Sequence, residues 1–333
     1  MKKRIFGVFL ATVLMFGAFD VTYGATTENT ATAQSTSATI VDSGKCGDNV
    51  TYTLDSDGLL TISGSGAIYD YNYKESLFYN NDDIKKIVIE KGITRIGNCV
   101  FLECNNLESI EIPEGVTSIG DSAIRECLSL TSIELPKSVT SIEDCAFTGC
   151  SKLTSIELPE GITSIGYALF CNCSSLTDIK IPTGVTSIGG NAFCFCSSLT
   201  SIEIPEGVTS IEVEAFAGCS SLTSIEIPKS LTSIGKSVFS GCSRLKTVYC
   251  YKNSTADNTS LYPGGATIIY RFEKGDINED GSVDNKDVAS LLKALTNENY
   301  NIEKKDINGD GSIDLRDVIL LIKYVTGKVS EIW

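Results

Sequence analysis

The sequence predicts a β-rich solenoid of stacked parallel strands with short helical turns, followed by a small all-α module. Three observations predict it. Marked positions recur every 23 residues through the middle of the chain, two nearly identical acidic loops lie 30 residues apart beyond them, and the composition changes between the two regions near Phe272.

The repeat dominates. Pro113, Pro136, Pro159, Pro182, Pro205 and Pro228 keep the 23-residue step, and so do Ile96 to Ile234, Phe101 to Phe239 and Leu107 to Leu245, with Ile124 as the one exception in the Phe column. About seven units fit between Ile87 and Thr247 without insertion or deletion. One unit holds too few apolar residues to bury a core alone, so columns of like side chains must bury one another in stacked coils. Thr-Ser-Ile-Glu-Ile-Pro alternates polar and apolar as a short strand does. The proline ends it, having no N–H for the ladder. The tract Ile188-Gly189-Gly190-Asn191-Ala192-Phe193 reads as a turn into a short helical or irregular segment.

At these residues the chain resembles the BspA-type leucine-rich repeats of bacterial surface and secreted proteins. The resemblance rests on Leu-Thr-Ser-Ile-Glu-Ile-Pro-x-x-Val-Thr-Ser-Ile-Gly-x-x-Ala-Phe-x-x-Cys and runs from Ile87 to about Val248. Cys46 to Tyr73 resembles the strand-forming flank that precedes such arrays, and Val248 to Phe272 their closing segment. Such caps hide the end faces of an open stack.

Seven cysteines, Cys104 to Cys242, form one column of the repeat, and Cys46, Cys99, Cys145, Cys171, Cys194 and Cys250 lie off it. Stacked neighbours keep their Cβ atoms about 4.8 Å apart, beyond the ~3.8 Å of a disulfide, so the column is read as buried thiols. Cys171 and Cys194, one coil apart, are able to pair. Glu111 to Glu226 and the Thr-Ser pairs make polar columns, read as the solvated side of the coils rather than as a binding lattice.

Beyond Phe272, Asp276, Asn278, Asp280, Ser282, Asp284 and Asp287 follow the D-x-N-x-D-G pattern of a 12-residue EF-hand-like loop. Asp306, Asn308, Asp310, Ser312, Asp314 and Asp317 repeat it. The set is oxygen-only and suits a hard cation, so two Ca2+ ions are expected, with the carbonyls of Ser282 and Ser312 at position seven and Asp284 and Asp314 acting through water. Gly281 and Gly311 permit the turn at position six. Position twelve is aspartate rather than glutamate. Each loop leads into an apolar stripe, Val288, Leu291, Leu292, Leu295 and then Val318, Leu321, Ile322, Val325, at helical spacing. From Gly275 to about Gly327 the duplicated unit resembles a type I-like dockerin, the module that anchors proteins to cellulosome scaffolds through cohesin domains. The resemblance implies partner contacts at Asn285, Lys286, Leu315 and Arg316, and Lys293 and Lys323 occupy equivalent helix positions that add to them.

The remaining signals concern compartment and chemistry. Lys2, Lys3 and Arg4 precede an apolar run from Ile5 to Phe19, the layout of a secretory signal peptide. The chain is expected to divide into a signal peptide at 1–24, a disordered leader at 25–43, a β cap at 44–86, the repeat array at 87–247, a closing cap at 248–272, the dockerin at 273–328 and a tail at 329–333. Histidine is absent, which excludes Ser-His-Asp and Cys-His catalysis and histidine-ligated zinc. The formal charge of −15, without basic runs, disfavours nucleic acid and anionic membrane as partners. The expected protein is a secreted, extracellular, non-catalytic module of a cell-surface cellulosome-type complex. Its array would recognise a protein or surface, and its dockerin a scaffold cohesin. The rivals are a carbohydrate-binding solenoid, a dockerin-borne enzyme and a structural spacer.

Overall fold

The structure, a computed structural model, describes residues 38–296 and 306–330. The expected signal peptide, the leader up to residue 37 and the last three residues of the tail lie outside the described residues.

Three strands open the fold: β1 (Ile40–Gly47), β2 (Asn49–Asp55) and β3 (Leu59–Ala67), paired as an antiparallel meander. β1 takes in the last four residues of the expected leader, 40–43. Ile40 and Val41 are exposed, so apolar burial gave no sign of the strand, which is held by backbone pairing to β2. β3 is the pivot of the cap. It is antiparallel to β2 on one side and parallel to Lys86–Ile89 on the other, with Leu60 opposite Ile87 and Ile62 opposite Ile89.

From there each coil has three sides. The first carries short parallel strands such as Ser155–Glu157 and Asp178–Lys180, in register at the 23-residue step. The second carries pairs such as Ser187–Ile188 beside Ser210–Ile211. Two or three residues per strand suffice, because a proline or a turn follows at once.

The third side is not helical. Two positions per coil are left-handed: one at Cys99, Ser122, Cys145, Ala168, Asn191, Glu214 and Ser237, the other at Glu103, Glu126, Gly149, Asn172, Phe195, Gly218 and Gly241. Such a conformation costs a non-glycine residue roughly 1–2 kcal/mol. It turns alternate N–H groups toward the next coil, where Phe170 N–H donates to the Ala192 carbonyl at 2.8 Å and Phe193 N–H to Ala215 at 2.7 Å. These inter-coil bonds take alternate donors that a helix would use internally, and the donors between them close single turns, as Cys171 N–H does on the Ala168 carbonyl, so no helix forms.

Inside, the Phe column is stacked. Ring centroids lie 5.7 Å apart for Phe147 and Phe170, 5.6 Å for Phe170 and Phe193, and 5.3 Å for Phe193 and Phe216. The stack continues into both caps: Tyr262 covers Phe239 at 5.4 Å, and Phe78 bridges Tyr52 to Phe101. All thirteen cysteines are free thiols, Cys171 and Cys194 included. The seven column thiols are more than apolar filler. Each Sγ donates to the carbonyl of the residue 26 positions earlier, as Cys196 does to Phe170 at 3.2 Å. At the far end Thr247–Tyr251 joins the array, and Thr267–Arg271 pairs parallel to it as the last strand.

The C-terminal module consists of two loop-helix units, with helices α1 (Asn285–Ala294) and α2 (Leu315–Val325). Its core is small: Ile277, Leu291, Ile307, Val318 and Leu321. The expected stripes are narrower than read, since Leu292 and Ile322 are exposed. Ile277 and Ile307, the second residues of the loops, take their place in the core.

Candidate functional site

The twelve loop residues form two equivalent polar cages. In loop one, Asp276 accepts N–H bonds from Asp280 and Gly281, Asn278 accepts from Asp280, and Asp280 accepts from Ser282. In loop two, Asp306, Asn308 and Asp310 accept from Asp310 and Gly311, Asp310, and Ser312 in the same pattern. Gly281 and Gly311 take φ of 90° and 86°, so only glycine suits position six without strain.

The aspartate at position twelve has two tasks. One oxygen of Asp287 accepts from Ile277 N–H at 2.7 Å and Asn278 N–H at 3.1 Å, which ties the helix to the start of the loop. The other accepts from Asp284 N–H, while Asp284 caps α1 by accepting from Lys286 N–H. Asp317 and Asp314 repeat this capping box at α2. Each such cap contributes about 1 kcal/mol. Aspartate at position twelve is therefore also the N3 partner in a capping box whose N-cap is the aspartate at position nine.

Asp276, Asp287 and Asp317 are buried. Burial pushes the Asp276 carboxyl above its usual range, against the pull of two backbone N–H bonds. Lys286 folds back onto Asp280 (3.2 Å) and Asp284 (3.5 Å), and Arg316 onto Asp310 (3.1 Å) and Asp314 (2.7 Å). These pairs hold the Asp280 and Asp314 carboxyls below their usual range. Thus two of the residues expected to face a partner are engaged with the loops. Lys293 and Lys323 lie exposed in the last turns of α1 and α2, where a cation suits the helix dipole, and Asn285 and Leu315 are exposed at the first turns.

Among the described residues, no three cysteine or carboxylate side chains converge closely enough to chelate an ion. The loop oxygens are held by backbone N–H groups instead. The donor set nonetheless fits a hard cation: it is oxygen-only, it turns on glycine at position six, and its first carboxylate in loop one is buried with no cationic partner among the described residues.

On the array, the polar columns are knitted to their neighbours. Lys180 pairs with Glu160 at 2.8 Å, and Arg271 pairs with Glu226 while lying 4.4 Å from the Tyr249 ring centroid. The strand carboxylates recur at the coil period, and none of them stands apart from its copies.

A family profile described as BspA type Leucine rich repeat region (6 copies) matches residues 72–182 and 163–263. The chain belongs to the BspA-type leucine-rich-repeat family. The Dockerin type I domain profile matches residues 274–326 of this BspA-type protein, and its C-terminal module is a dockerin. No curated protein matches the chain. Solved structures similar to it include a leucine-rich repeat protein from Eubacterium ventriosum, with 25% identity over 70% of this chain and 79% of that one and a TM-score of 0.44. Another is the T. pallidum leucine-rich repeat protein, with 29% identity over 58% and 86% and a TM-score of 0.46. A leucine rich cell surface protein from Faecalibacterium prausnitzii shares 21% identity over 72% and 97%, with a TM-score of 0.35. Among the described residues, no helix is long and apolar enough to cross a membrane.

Proposed function

We propose that this protein is a secreted, non-catalytic assembly component, whose array recognises a protein or surface and whose dockerin docks it onto a scaffold cohesin in a calcium-dependent way. The observation that carries the reading is the duplicated loop-helix unit, with its oxygen-only donor set, fused to an array whose strand carboxylates occur as periodic copies. Two Ca2+ ions would be held by Asp276, Asn278, Asp280, Ser282, Asp284 and Asp287, and by Asp306, Asn308, Asp310, Ser312, Asp314 and Asp317. Each ion would supply the positive charge that the packed carboxylates lack. Asn285, Lys286, Lys293, Leu315, Arg316 and Lys323 are the candidate cohesin contacts.

A binding assay tests the reading. The full chain is passed over a panel of immobilised type I cohesin domains in calcium and again in chelator. Capture in calcium that disappears on chelation is expected. Capture by no cohesin, or capture indifferent to chelation, would overturn it.

A further inference from the structure

The two loop-helix units are alike in sequence and in internal hydrogen bonding, but they differ in surroundings. Loop one is pressed against the closing cap of the array. Lys252 Nζ donates to the Glu279 carbonyl at 3.1 Å, and Asn253 Nδ2 to the Asp280 carbonyl at 2.9 Å. A side chain at Gly281 would meet the Lys252 carbonyl at 2.8 Å, whereas one at Gly311 would meet nothing within 4 Å. Burial follows the contacts. Asp276 is buried and residues 279–281 are half-buried, while Asp306 is half-buried and residues 309–311 are exposed. Just before loop one, Lys229 and Glu273 form a further ion pair between array and module.

The helices differ in a way that agrees with this. On α2, Leu315, Ile319 and Ile322 are 62%, 51% and 41% exposed, and they fall at i, i+4 and i+7 on one face. The equivalent positions on α1 are Asn285, Ala289 and Leu292, of which only Leu292 is a large apolar residue. The unit that leans on the array thus presents a largely polar face, and the second unit, whose described residues form no hydrogen bond or ion pair with the array, presents an apolar stripe with Lys323 alongside.

We propose that the closing cap, through Lys252 and Asn253, clamps the first calcium loop as part of the array, and that the α2 face is the half that engages the partner. The assignment of the partner rests on the cohesin reading above. The clamp does not. The occupant of α2 would be a cohesin face with an apolar centre and an acidic edge to receive Lys323. Internal duplication would then not translate into two interchangeable binding modes, because the array engages one copy.

Two measurements on the full chain separate the parts. In the first, hydrogen exchange of residues 247–257 is followed during a calcium titration. Calcium should slow exchange there in the natural chain and in Asp306→Ala, but not in Asp276→Ala or in the double variant Lys252→Ala with Asn253→Ala. No slowing in the natural chain, or slowing that persists in the double variant, would remove the clamp. In the second, capture on the cohesin panel is compared for Ile319→Asp and Ala289→Asp, both exposed positions, with helicity checked by circular dichroism. Ile319→Asp should weaken capture by about 100-fold or more, as at an interface hot spot, and Ala289→Asp by less than about threefold. Equal losses, or a larger loss from Ala289→Asp, would overturn the assignment of the α2 face. Absence of capture by the natural chain would overturn the cohesin reading and that assignment together, and the exchange measurement would still decide the clamp.

Discussion

The array and the dockerin occupy one chain but are held together by opposite means. In the array every coil contributes the same few apolar groups, and its neighbours complete the burial, so the core grows with the number of coils. The dockerin has five buried apolar residues in its core and relies on carboxylates bonded to backbone N–H groups and on two capping boxes. A module this small is marginal without an added staple. Repetition substitutes for size in the first region, and hydrogen bonding of carboxylates to the backbone does so in the second.

The contrast is tested most severely by chelation. Removing calcium from the full chain should abolish the folding of the dockerin and leave the array intact, since an ion that binds only the folded form stabilises it by linkage. Circular dichroism would show loss of the α1 and α2 signal with the array's melting transition preserved. Asp276→Ala combined with Asp306→Ala should do the same in the presence of calcium. A chelated module that keeps its full helicity would end the contrast.

A single cut in the array should be smaller but still large. Phe193 is fully buried between Phe170 and Phe216, and Phe193→Ala should cost about 3–5 kcal/mol through lost burial and a residual cavity. Because stability in stacked coils is coupled between neighbours, the loss should appear as a lower midpoint for the array without a change in the dockerin transition. A melt unchanged within error would remove the column from the core.

The thiols sharpen the comparison with the least perturbation. Burial pushes the Cys104 and Cys150 thiols up to about 12, and Cys127 and Cys173 well above their usual value of 9.0. In the unfolded chain these thiols ionise near pH 9, while in the folded chain they stay protonated. Their contribution is therefore intact below about pH 9 and is lost as pH rises toward 12. The array's melting temperature should fall over that window, a range in which the cysteine-free dockerin has no such contribution. At about pH 8, below the thiols' ordinary range, an aromatic disulfide reagent should reach the half-buried Cys145 and Cys171 first and the column thiols only on unfolding.

Much of this was legible in the sequence. The 23-residue columns of Ile, Phe, Leu and Cys predicted stacked coils because strict spacing makes sense only if like meets like. The dockerin was legible because its D-x-N-x-D-G pattern occurs twice, 30 residues apart, inside the stretch that the dockerin profile matches. Phe78 and Tyr262 lie on the same step as the Phe column, yet the flanks around them have lost the rest of the pattern. The left-handed positions were not legible. Cys99, Ala168 and Glu214 are not residues that announce a positive φ, and the backbone bonds that hold them there run to the next coil. Nor was the thiol donation, which depends on a carbonyl 26 residues away. The contacts of Lys252 and Asn253 with loop one join segments that share no pattern, so no local signal marks them.

The uniform register has a genetic consequence. Each coil offers its successor the same rings, thiols, carbonyls and N–H groups, so excision of one whole 23-residue unit would bring matching surfaces together, with Phe170 meeting Phe216 across the join. A deletion one residue shorter would misalign every column beyond it. The reach of the array is thus adjustable in steps of about 4.8 Å, with its caps and its dockerin carried along unchanged.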